Sequence, residues 1–212
     1  MPVAEIQKRS FAVRELRAVS EGKSRTIAGH AAVYDQPSDP IGGWFTEIVK
    51  PGAFKDTLRT ADVRCLFNHD ANFVLGRTRS GTLRLVDGAK GLEISCDVPD
   101  TQVGNDVYRS IERGDIDQMS FSFITVEDRW TFKPGNAPPI RELLKVELVD
   151  VAPVTFPAYP QTDIGTRSMT TLKAECEAAR KLHDAASQSN LRRSRLQLLE
   201  VESHMRHTGV AG

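Results

Sequence analysis

Residues 115–128, DIDQMSFSFITVED, place two hydroxyls, Ser120 and Ser122, inside an otherwise apolar run. Side chains alternate between faces along an extended strand, so Met119, Phe121 and Phe123 share one face, and Ser120, Ser122 and Ile124 the other. Two hydroxyls on one face pack as small residues that bond the backbone or each other, unless a base stands near them. With a base to accept its proton, and a third group to orient that base, a serine becomes a nucleophile.

Histidine is the natural base near neutral pH, and the chain has five: His30, His69, His183, His204 and His207. The last three fall in an alanine-, leucine- and charge-rich region that reads as exposed helix, and His30 sits inside an apolar strand, where a hydrogen-bonded structural role is expected. His69 ends the run DVRCLFNHD, where a rigid strand gives way to a loop and a side chain can be presented into a cleft. For the third group, VELVDVA offers Glu147 and Asp150 among apolar neighbours, where an unpartnered carboxylate is costly. The two point to opposite faces of a regular strand, and either could instead pair with Arg141 or Arg129. Periodicity leaves the choice open.

These residues need a scaffold of strands. Residues 12–19 and 25–34 are β-prone runs joined by the polar turn SEGKS, which predicts a hairpin. FTEIV reads as a short strand, KPGAFKDTLRT as a helical turn or two, and TLRLVD with GLEISCDV as two further strands around the Asp87-Gly88 turn. In residues 101–113 the period changes, with Val103, Val107 and Ile111 four apart and Gly114 as the stop, which predicts a helix. After NAPP breaks the chain, IRELLKVELVDVAPVTFPAYP is another long β-prone run, ended by Pro153, Pro157 and Pro160. Residues 166–212, without proline after that boundary, read as a tail of one or two amphipathic helices beside a main domain at 1–165.

Bulk properties narrow the class. The chain has 212 residues, 28 basic and 28 acidic, so its formal charge is zero and no long-range attraction to nucleic acid or an anionic membrane is expected. The run NLRRSR reads as a solvated helix face. Cys65, Cys96 and Cys176 are an odd count without metal-ligand spacing, which predicts free thiols in a reducing compartment and no metal or organic cofactor. No segment reaches the length of an apolar membrane span, and the charged N-terminus lacks a signal-peptide core, so a soluble intracellular protein is expected.

In order along the chain, IAGHAAVYDQPS, FTEIVKPGAFKDTL, CLFNHDANFVLGRTRSGTLRLVDGAKGLEISCDVP, VYRSIERGDIDQMSFSF and VELVDVAPVTFPAYPQT resemble the prohead proteases of tailed bacteriophages, serine proteases that mature the capsid. The resemblance spans residues 14–163. It implies a fold similar to the herpesvirus assembly proteases: mainly β with peripheral helices, in a closed, mostly antiparallel barrel. It also implies that His69, after LFN, is the base and that Ser120, after the methionine of MSF, is the nucleophile. The family's usual glycine two residues later is Ser122 here, which leaves a second hydroxyl beside the first. The acidic position of the VDVAPVTFPA element falls on Asp150 as orienting group, with Glu147 in reserve.

The resemblance further implies an enzyme that acts inside the assembling procapsid in the host cytoplasm. Its substrates would be the scaffold, or the scaffold-like region of the major capsid protein, and the enzyme itself; a homodimer stays open. Two other readings compete: a non-catalytic assembly component with the same fold, and a metal-dependent hydrolase built on His69 and Asp70.

Overall fold

The computed structural model describes residues 5–10, 15–21, 24–133, 137–156 and 166–207. The elements run β1 (Gln7–Ser10), β2 (Arg17–Glu21), β3 (Ser24–Val33), β4 (Thr46–Val49), α1 (Thr57–Thr60), β5 (Arg64–Leu66), β6 (Val74–Arg77), β7 (Leu83–Asp87), β8 (Gly91–Asp97), α2 (Gln102–Glu112), β9 (Gln118–Thr131), β10 (Ile140–Val154) and α3 (Thr166–His207). The architecture is mainly β with helices, as expected. The chain divides into two compact units, Met1–Met169 and Thr170–Gly212.

Strands β1, β9, β10, β5 and β6 follow one another in a six-stranded sheet, in which β4 also pairs with β10; β2, β3, β8 and β7 form a second sheet of four. The β10–β4 and β10–β5 pairings are parallel and the other ladders antiparallel. The expected closed barrel is not found: among the described residues the strands form two sheets with no ladder joining them. Alternating apolar residues show that a strand has a buried face, which is equally true of a sandwich and of a barrel. They carry no information on whether edge strands meet.

Most elements appear where the sequence places them. Strand β2 pairs antiparallel with β3, β7 pairs with β8, and α2 starts at the N-cap Thr101, whose hydroxyl accepts from the Gly104 amide. Gly114, at φ 81°, supplies the left-handed residue that ends this helix's final turn. Strands β1 and β6 were not expected: QKRS lacks an apolar alternation, and VLGR is short and carries a glycine. Pro153 lies inside β10 rather than ending it, and the expected ends at Pro157 and Pro160 lie outside the described residues.

The core explains the apolar half of the opening motif. Met119, Phe121 and Phe123 are buried, with Phe121 edge-on to Phe54 and stacked on Phe123. Helix α3 is a single run of 42 residues, and its arginines Arg192, Arg193 and Arg195 are exposed. No described helix is long and apolar enough to cross a membrane.

Candidate active site

The sheet order brings together three segments far apart in sequence. Strand β10 lies between β9 and β5, with Asp150 opposite Ser122 of β9 on one side and opposite Arg64 of β5 on the other. Strand β5 then leads into Phe67, Asn68 and His69. One carboxylate is therefore flanked by the serine-bearing strand and by the loop that carries the histidine.

His69 spans the gap. Its Nε2 lies 2.7 Å from Ser120 Oγ, and its Nδ1 lies 2.5 Å from Asp150 Oδ1. The side chains of His69 and Asp150 are only 5% and 10% exposed, and Ser120 is fully buried. With Nδ1–H donated to the carboxylate, Nε2 carries the free lone pair and faces the hydroxyl. A hydroxyl, an imidazole and a carboxylate thus stand in one line of hydrogen bonds.

Ser122 has a different environment. Its hydroxyl donates to the other carboxylate oxygen, Asp150 Oδ2, so both oxygens of Asp150 are engaged. The two serines of MSFSF are connected through Asp150 and His69, with Ser120 at the far end of the chain of bonds. Glu147, three residues before Asp150, is exposed and lines a surface recess with Asp56 and Lys145. A register shift between Leu148 and Asp150 lies between the two carboxylates.

The loop that aims His69 is strained and braced. Asn68 and His69 both have positive φ, 54° and 57°, a conformation that side chains other than glycine and asparagine seldom adopt. Asn68 offsets this cost by clasping the end of β10. Its amide N–H donates to the Pro153 carbonyl at 3.1 Å, its side-chain amide donates to Thr155 Oγ1 at 3.1 Å, and its side-chain oxygen accepts from the Thr155 amide at 2.8 Å. The imidazole position therefore follows from β10, the strand that also carries Asp150.

Strand β1 lies on the other side of Ser120. It pairs antiparallel with β9, Ser10 standing opposite Ser120, and Ser120 Oγ lies 2.9 Å from the carbonyl oxygen of Arg9, to which it can donate. The Arg9 side chain enters a buried charged cluster: Nε donates to Glu47 Oε1 at 2.6 Å, and Arg141 Nη1 reaches Glu47 Oε2 at 3.1 Å. Arg141 also pairs with Asp128, and Arg129 with Glu142. The N-terminal charge pattern carried no signal for this part of the site.

The other candidates fall elsewhere. His30 Nδ1 lies 2.7 Å from Glu15 Oε2, but neither ring nitrogen makes a hydrogen bond with good geometry. His183 is exposed on α3, as is the leading part of the arginine-rich segment, while the side chains of His204 and His207 lie outside the described residues. Asp70 accepts from the Asn72 amide within its own turn. No cluster of three or more potential metal ligands occurs among the described residues.

Comparison with known proteins adds the following. Among solved structures, the bacteriophage T4 capsid assembly protease, gp21, is similar with a TM-score of 0.47 at 10% identity, over 72% of this chain and 97% of that one. No curated protein matches the chain. Residues 10–175 match the caudovirus prohead serine protease family, a span that includes both pairing strands of the site and the loop of His69, and the chain belongs to that family.

Proposed function

We propose that the chain is a serine endopeptidase with Ser120 as nucleophile, His69 as general base and acid, and Asp150 as the carboxylate that orients the imidazole. The observation that carries this reading is the continuous contact from Asp150 Oδ1 through His69 to Ser120 Oγ. Ser120 attacks the scissile carbonyl carbon while its proton passes to Nε2, and Asp150 stabilises the imidazolium that results. The tetrahedral intermediate collapses as the imidazolium protonates the leaving amine. Water, deprotonated by the same nitrogen, then hydrolyses the acyl-enzyme. Ser122 holds the far oxygen of Asp150, which keeps the near oxygen directed at Nδ1.

The substrates in this reading are the scaffold, or the scaffold-like region of the major capsid protein, and the enzyme itself, within the procapsid. The family to which the chain belongs supports that setting. Helix α3 is assigned to retention in the assembling shell. Its exposed leucines, Leu182, Leu191, Leu196, Leu198 and Leu199, are suited to helix contacts.

Co-expression with the capsid protein tests the reading, with cleavage products identified by mass spectrometry. Wild type is expected to process the capsid protein, whereas Ser120→Ala and His69→Ala leave it intact. Unchanged processing by Ser120→Ala would instead assign the fold to a non-catalytic assembly component. Loss of processing with Ser122→Ala but not with Ser120→Ala would move the nucleophile to Ser122.

A further inference from the structure

The position of Arg9 speaks to which peptides the site accepts. Its carbonyl oxygen is 2.9 Å from Ser120 Oγ, and its side chain is 6% exposed, held by fully buried Glu47. Arg9 Nε and Nη2 address the two carboxylate oxygens at 2.6 and 3.2 Å, the paired geometry by which a guanidinium matches a carboxylate. The guanidinium also lies 5.6 Å from the centre of the Phe123 ring. Strand β1 is at the edge of its sheet, so any other extended chain taking its place would meet the same backbone groups of β9.

We propose that Glu47 is the specificity-determining residue of the site and that the pocket around it takes a basic side chain, arginine above lysine, immediately before the cleaved bond. This rests on the serine endopeptidase reading above. Arg9 is the occupant in this structure, and the Arg9–Ser10 bond is the corresponding self-cleavage site.

Charge balance gives the physical reason. With Arg9 in place, two guanidinium groups, Arg9 and Arg141, face two carboxylates, Glu47 and Asp128. Removing residues 1–9 leaves Arg141 against both carboxylates, with a net charge of minus one in a site where Glu47 and Arg141 are 0% and 1% exposed. A buried uncompensated charge is costly, so the vacated pocket favours a cationic side chain and disfavours an acidic one. Arginine can restore both oxygen contacts, while the lysine ammonium offers a point charge.

The self-cleavage step balances with water as the only co-reactant. Ser120 Oγ bonds to the Arg9 carbonyl carbon, the Arg9–Ser10 C–N bond breaks, and the serine proton goes through His69 to the Ser10 amine. Water then releases residues 1–9 as a carboxylate and restores the serine hydroxyl.

The experiment combines intact-mass analysis of the full chain with cleavage of peptides in trans. The peptides carry the sequence EIQKRSFAVR of residues 5–14, with the residue at the Arg9 position kept or replaced by Lys, Gln or Glu. Expected are a product beginning at Ser10 for wild type, none for Ser120→Ala, and a preference for the Arg peptide over the Gln peptide of about 100-fold, the scale of a buried charge pair. Glu47→Gln should collapse that ratio, which does not depend on what fraction of the variant folds. Glu47→Arg should favour the Glu peptide.

Ser120-dependent cleavage of capsid protein or peptides without a preference for a basic residue, or with a preference that Glu47→Gln leaves intact, overturns the pocket proposal and leaves the endopeptidase reading standing. Absence of any Ser120-dependent cleavage, of capsid protein or of peptide, overturns both.

Discussion

Ser120 has one hydroxyl proton and two acceptors within reach, His69 Nε2 and the Arg9 carbonyl. In the proposed mechanism donation to Nε2 is the state from which attack proceeds, whereas donation to the carbonyl leaves the imidazole without its partner. Replacing Ser120 by alanine removes the proposed nucleophile, with an expected loss in kcat on the order of a millionfold. Ser122→Ala removes only the bond to Asp150 Oδ2, and hydrogen bonds to charged groups are stronger than neutral ones. A fall in kcat of about tenfold with little change in KM is expected, read from steady-state peptide cleavage. A loss as deep as that of Ser120→Ala would show that the two hydroxyls are not separable in role.

At the scale of elements, the positive φ values of Asn68 and His69 are tolerated because Asn68 is fixed to the end of β10. Asn68→Ala puts a Cβ-bearing residue in the left-handed region without those bonds, and is expected to cost about 2 kcal/mol in a urea titration. Asn68→Gly should cost less, since glycine adopts that conformation without strain, although it too loses the clasp. Peptide cleavage should fall in both, because the imidazole then depends on a loose loop. At α2, Thr101→Ala removes the cap on the Gly104 amide and should cost about 1 kcal/mol. Cleavage should be spared there, since α2 contributes no residue to the site.

At the scale of the whole molecule, the two units lead to different expectations. The site residues all fall within Met1–Met169, and α3 is the principal element of the second unit. Deleting residues 166–212 should therefore lower incorporation into procapsids, measured by quantifying the protease in purified particles, while leaving peptide cleavage in place. Equal incorporation of the truncated and full chains would remove the retention role from α3. Equal incorporation with lost cleavage would instead tie the helix to the site.

Local patterns in the sequence determined much of this protein. The alternation of MSFSF, the paired strands β2 and β3, the capped helix α2 and the long apolar run of β10 each depend on neighbours a few residues away, and each formed as an element. The resemblance likewise pointed to His69, Ser120 and Asp150 as a group. Tertiary structure decided what no short window contains: two sheets in place of a closed barrel among the described residues, the strand order that sets β10 between β9 and β5, and β1 lying along β9 with Arg9 against Glu47. Periodicity reports which face of a strand is buried, whereas pairing between residues 38 or 111 positions apart depends on how the whole chain closes its loops, and QKRS gives no apolar signal for it.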